Sequence, residues 1–189
     1  MDFSKYEKPV RDLYNAYADS IRAYSDDALV ILEKMRKIAL SMGDPLLTGF
    51  TYHSQAYVEY FIKGRYEPYL KCLKLSVRYL LRAQDKGELS HVFYLIAIDA
   101  TNKGMFDVAC NYYIMARDLS NAEGEPSSTA ILDASVAHVL LQLGAYKEGR
   151  AHLKKAAAVM RRKKQNPNYY GNVLYTYVDE GTACLKKAI

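Results

Sequence analysis

Tryptophan is absent from this 189-residue chain, cysteine occurs three times, proline five times and glycine ten. So little proline and glycine excludes collagen-like and linker-rich chains. Cys72, Cys110 and Cys184 are odd in number and widely spaced, which is no disulfide framework. Free cysteine packs as a small hydrophobe, so the three predict reduced core thiols in a cytoplasmic protein. No apolar run approaches the ~20 residues that span a bilayer. The opening stretch MDFSKYEKPVRDLY has no apolar segment of the secretory kind, and no membrane partner is expected.

Motifs for chemistry are missing as well. There is no P-loop, no G-x-G-x-x-G, no H-E-x-x-H and no G-x-S-x-G. Asp26-Asp27 precedes a predicted helix start, where carboxylates satisfy free N–H groups. Asp179-Glu180 reads as a solvent-facing pair. The four histidines, His53, His91, His138 and His152, show no metal-ligand spacing with one another or with cysteine. No enzymatic activity, cofactor or metal is expected.

What is present is an ordinary globular balance, 50% apolar and 25% charged, with 18 tyrosines. That balance argues against disorder, and tyrosine supplies aromatic bulk with a polar tip. The net charge of +5 is uneven: residues 144–165 alone carry +7, ending in Arg161, Arg162, Lys163 and Lys164. The cluster reads first as a solvated face with cations at a helix C-terminus. Its second reading is a patch for an acidic partner. No aromatic residues interleave with its cations and no DNA-reading motif is present, so nucleic acid is not the expected partner.

Three segments align without a gap: KGRYEPYLKCLKLS from Lys63, KGMFDVACNYYIMA from Lys103 and LGAYKEGRAHLKKA from Leu143. Their glycines, Gly64, Gly104 and Gly144, recur every 40 residues, a spacing that marks stacked repeats. Two positions on comes an aromatic: Tyr66, Phe106, Tyr146. Offsets of five, nine and twelve give Tyr69, Ala109 and Gly149, then Leu73, Tyr113 and Leu153, then Ser76, Ala116 and Ala156. Steps of four and three share one face of a helix. Upstream of each glycine, Ala56-Tyr57, Ile96-Ala97 and Val136-Ala137, followed by Tyr60, Ala100 and Leu140, form a second helical face. Each unit therefore reads as helix A, a turn closed by a left-handed glycine, and helix B.

A degenerate first copy centres on Ala23, with Ser25, Ala28, Leu32 and Met35 at the matching offsets. Turn signals at Gly43-Asp44-Pro45, Asp85-Lys86-Gly87, 123–128 and Asn166-Pro167-Asn168 separate the units. The resulting single domain has units at about 9–42, 45–84, 87–122 and 127–165 and a terminal helix over 167–189. In all, about nine helices and no strand are predicted.

This pattern of small and aromatic residues resembles the tetratricopeptide repeat (TPR). Gly104, Phe106, Ala109 and Ala116 match that motif at four positions, and Gly144, Tyr146 and Ala156 at three. The family's period is 34, so a period of 40 makes each unit one to two turns longer. The resemblance implies an all-α, right-handed superhelix of about four helical hairpins with a concave wall built by the A helices. Carried over by offset, the wall comprises Tyr17 in the first copy and Thr51, Ser54 and Val58 in the second. The third supplies His91, Tyr94, Ile98 and Asn102, and the fourth His138 and Gln142. It lacks the Lys/Asn/Arg set with which chaperone-type TPRs hold a C-terminal carboxylate. A protein or peptide with apolar anchors fits it better. Its alternative state is a wall filled from within, with Val58, Phe61 and Ile62 as core. Homodimerisation through an exposed end of the array is a further expectation.

The stretches DDALVILEKMRKIALSMGDPLLTGF and YLLRAQDKGELSHVFYLIAIDATNKGMFDVACNYY are also similar to the N-terminal helical regions of clostridial-type GGDEF diguanylate cyclases. That resemblance implies the sensory or regulatory part of a longer bacterial signalling protein, continuing beyond LKKAI. The alternatives are a free-standing TPR adaptor or scaffold and a nucleic-acid-associated regulator.

Overall fold

The structure is a computed structural model that describes residues 1–122, 124 and 126–163. The terminal helix expected over 167–189 lies outside the described residues, as do Lys164 and Cys184. Among the described residues the chain is all-α, with no strand. Its helices are α1 Lys8–Arg22, α2 Asp27–Ser41, α3 Pro45–Tyr57, α4 Tyr66–Ala83, α5 Lys86–Asn102, α6 Phe106–Ala122, α7 Pro126–Gln142 and α8 Tyr146–Lys163. A π-helical segment, Val58–Ile62, continues α3. No helix among the described residues is long and apolar enough to cross a membrane.

The chain forms two compact units, Met1–Val92 and Phe93–Ile189, with the boundary inside α5. In the first, α1 packs on α2, α2 on α3 and α3 on α4; in the second, α6 packs on α7 and α7 on α8. The offset rule describes the buried face of every B helix. Ala28, Leu32 and Met35 of α2 are fully buried, as are Ala109 and Ala116 of α6 and Ala156 of α8. Tyr69, Leu73 and Ser76 of α4 are buried in the same way. Each large apolar side chain so buried contributes roughly 1.5–3 kcal/mol.

The turns follow from backbone chemistry. Gly43, Gly64, Gly104 and Gly144 all have φ between 62° and 78°, the left-handed region that a side chain disfavours. After Gly104 the Met105 N–H donates to the Ala100 carbonyl at 2.9 Å, and after Gly144 the Ala145 N–H donates to Leu140 at 2.9 Å. These bonds span the left-handed residue and satisfy the orphan carbonyls of the last helical turn. In the first copy the residue in this conformation is Tyr24, φ 52°, rather than Ala23, and the Ser25 N–H donates to Ser20 at 2.9 Å. The turn there is lengthened and helix B starts at Asp27, but Ala28, Leu32 and Met35 keep the packing register expected from Ala23.

Two helix starts are capped by aspartate side chains, whereas the expected Asp26 cap ahead of α2 does not form, and the Asp27 N–H donates to Ser25 Oγ at 3.1 Å instead. Asp44 accepts from the Leu47 N–H at 2.9 Å ahead of Pro45, and Asp85 accepts from the Glu88 N–H at 2.8 Å. Cys72 and Cys110 are free, buried thiols.

Two glycines set how closely helices approach. A Cβ on Gly49 of α3 would meet Leu80 Cγ and Cδ2 of α4 at 2.7 Å and the Leu80 backbone nitrogen at 3.3 Å. The Ser76 hydroxyl bonds the Gly49 carbonyl across the same contact at 2.9 Å. On Gly149, a Cβ would meet Leu141 Cδ2 at 3.2 Å and the Ala137 carbonyl at 3.3 Å, so α8 and α7 approach through a missing side chain.

Gly49→Ala is therefore expected to lower stability by about 1–3 kcal/mol, the usual cost of overpacking. Gly87→Ala, where the nearest atom is Asp85 Oδ1 at 3.6 Å, is expected to be neutral or mildly stabilising, since alanine favours helix. Urea denaturation of the two variants beside the unchanged chain measures the difference; equal midpoints would reject the close-contact account.

Candidate functional site

The A-helix wall of the first unit depends on the π-helical segment. The Lys63 N–H donates to the Val58 carbonyl at 3.0 Å, five residues back, and one residue more is accommodated before Gly64 than before Gly104 or Gly144. This extra residue rotates everything upstream of it by one position. A gap-free alignment sets Tyr57 against Ala97 and Ala137. In the structure Ala56 is the fully buried residue and Tyr57 is exposed.

The wall positions move in the same way, which corrects three of the residues expected from the offsets. Thr51, Ser54 and Val58 are buried. The Thr51 hydroxyl bonds the Thr48 carbonyl at 2.8 Å, and Val58 packs with Ala28 and Leu32. One position earlier stand Phe50, His53 and Tyr57, of which Phe50 is buried, His53 half-buried and Tyr57 exposed. Single-residue insertions of this kind are common at functional sites, but the repeat alignment carries no gap to reveal one. Inside the segment, the buried Glu59 is held by Arg65, whose Nε and Nη2 both lie 2.7 Å from its Oε2.

Phe50 and His53 do not face open solvent. The first residues of the chain lie on Phe50, and Glu88 lies beside His53. Phe3 stacks on Tyr14 of α1 with centroids 3.9 Å apart and meets Phe50 edge-on at 5.0 Å. Phe3, Tyr6 and Val10 join Met35, Ala39, Leu47 and Phe50 in one apolar cluster, edged by Met1, Leu13, Tyr14, Tyr17 and Ile38. The Tyr6 N–H returns to the Phe3 carbonyl at 3.2 Å. At its beginning the segment reaches α5, where the Met1 amino group donates to Glu88 Oε1 at 2.9 Å. His53 Nδ1 lies 3.2 Å from the other oxygen, Oε2, and the His91 ring is 6.0 Å from that of His53.

Glu88 is thus a buried carboxylate with a cationic group at one oxygen and an imidazole at the other. Burial by itself pushes its carboxyl up. The bond and charge of His53, with those of the Met1 amine, outweigh that and bring it to about 2. The Asp85 cap fixes the helix turn from which Glu88 projects. The sequence carried a faint sign of this segment in the apolar spacing Met1, Phe3, Tyr6 ahead of Pro9, but Glu88 had none.

The other wall positions divide between the units. Tyr17 is half-buried and its ring stands 6.4 Å from Phe50. His91 is exposed. In the second unit Tyr94 and Ile98 are half-buried, and Asn102 is exposed. Tyr94 lies 5.8 Å from Tyr113, and burial raises its hydroxyl. His138 is half-buried and Gln142 exposed. His152 Nδ1 is 2.7 Å from Asp133 Oδ1, which ties α8 to α7. Arg161, Arg162 and Lys163 fall in the last turn of α8. No group of three or more His, Cys, Asp or Glu among the described residues is arranged to hold a metal ion.

The depressed Glu88 carboxyl contributes stability that is fully present above about pH 4.5, its ordinary value, and is lost as pH falls towards about 2. Glu88→Gln should therefore be less stable than the unchanged chain at pH 6, with the difference closing between pH 4.5 and 2. Denaturant titrations across that range measure it; a gap that persists unchanged at pH 2 would show that the carboxylate charge is not the cause. Compared with known proteins, the chain matches no family model and no curated protein.

Proposed function

We propose that the chain is a non-catalytic module that binds a protein or peptide segment through apolar anchors, on a wall built by its A helices. The observation that carries this reading is the seat of Phe3, between Tyr14 and Phe50, with the Met1 amine on Glu88. A surface that accommodates a short, turn-containing segment with an aromatic anchor and a terminal cation has the features needed to take another. In this chain residues 1–6 occupy it, so a partner must either displace them or bind the half-buried positions of the second unit, Tyr94, Ile98 and His138.

The proposal extends to architecture and context. The 40-residue period and the left-handed residue ending each A helix support TPR-like hairpins in a right-handed array. The resemblance to the helical regions of diguanylate cyclases supports a sensory or regulatory role in a cytoplasmic bacterial signalling protein. In that role, a ligand that binds one arrangement of the helices better than another shifts the output by its differential affinity.

A labelled peptide of sequence MDFSKYEK with a free amino terminus tests the wall directly. In fluorescence anisotropy, the full chain carrying Phe3→Ala should bind it at least tenfold more tightly than the unchanged chain, whose own segment competes. Binding to neither chain, or equal binding by both, would reject the wall as a peptide site.

A further inference from the structure

A second feature of the first unit is lined by none of the residues that hold Met1–Tyr6. Between α2, α3 and α4 lies a cavity of about 560 Å³, within the ~300–1,000 Å³ typical of small-molecule sites. Arg36 of α2 lines it and is only 9% exposed. Its Nη2 donates to Gln55 Oε1 at 2.6 Å, and its guanidinium sits 4.3 Å from the centroid of the Tyr52 ring. Its Nε–H is buried and has no acceptor.

A guanidinium taken out of water requires an anion and acceptors for its N–H groups. The carboxylates around Arg36 meet that requirement poorly. Glu33 Oε2 is 3.5 Å away but its side chain is 55% exposed, and water competes for it. Glu59 is committed to Arg65. The Cys72 thiol also lines the cavity; burial pushes it up to about 11, against the pull of Arg36, so it stays neutral near pH 7. The buried cation therefore faces a cavity without a full counterion.

The remaining lining defines the complement. Lys71 adds a second cation at the cavity, while Pro68 and Leu75 supply apolar surface and Glu67 a carboxylate. Tyr52 is held in place by a stack on Tyr79 at 5.8 Å as well as by Arg36. We infer that this cavity binds a small monocarboxylate with an apolar body. The carboxylate pairs with Arg36 and Lys71, and the body lies against Tyr52, Pro68 and Leu75. The acids Glu67 and Glu33 beside the site disfavour a doubly charged ligand, so the selected charge is single.

Isothermal titration of the full chain, with its N-terminal segment in place, tests this independently of the peptide wall. The probes are phenylacetate, phenylacetamide and phenyl phosphate. Phenylacetate should bind saturably at one site per chain, with the amide and the phosphate each at least tenfold weaker. Arg36→Gln should weaken phenylacetate at least tenfold. Absence of saturable phenylacetate binding, or equal binding by the amide, by the phosphate or by Arg36→Gln, would overturn the assignment. Should circular dichroism find Arg36→Gln unfolded, the exposed substitution Lys71→Glu decides: a tenfold loss of phenylacetate affinity supports the site, and unchanged affinity overturns it.

Discussion

Among the described residues, every turn from an A helix to its B helix depends on a residue that can adopt the left-handed conformation. The reversal spends no residues beyond the turn, and the bond across it closes the last carbonyls of the helix. Once the direction of the chain is set there, the offsets of five, nine and twelve bring small and apolar side chains of the B helix onto the A helix. Tyr24 shows what the constraint is about. A tyrosine held at φ 52° stores roughly 1–2 kcal/mol that glycine would not, and the hairpin tolerates it because the packing of Ala28, Leu32 and Met35 is intact. Conformation at the turn and register along the helix are thus separable requirements.

Close approach brings a second constraint, the burial of charge. Helices drawn together by Gly49 and Gly149 leave little room for water, so each ionised group inside must find its own partner. Glu88 does so with the Met1 amine and His53, and Glu59 with Arg65. Arg36 is satisfied only in part, by an amide, an aromatic face and a hydrated carboxylate. The chain thus closes one charged site on itself and leaves another with spare capacity, and these two places carry its functional readings.

Helix positions and the buried faces of the B helices were legible in the residues themselves, because they depend on local spacing: apolar steps of three and four, glycine at the turns, Asp-Pro and Asp-Lys at helix starts. The identity of the wall in the first unit was not legible. Repeat logic pointed to Thr51, Ser54 and Val58, and the π-helical turn shifts the register so that these three are buried and Tyr57 is exposed. A one-residue insertion absorbed inside a helix leaves the glycine period at 40 and so leaves no trace in an alignment anchored on the glycines.

The amino-acid sequence by itself determined that the chain is helical, where its turns fall and which face of each B helix is apolar, since all three follow from interactions within a few residues along the chain. Tertiary structure alone decided what covers the wall and which charges are buried. Phe3 reaches Phe50, Met1 reaches Glu88, and Arg36 meets Tyr52 and Gln55 across separations that no local pattern encodes. Those contacts arise from how three or four helices close on one another, a cooperative outcome of packing in which a single added residue turns one helix face away and presents another.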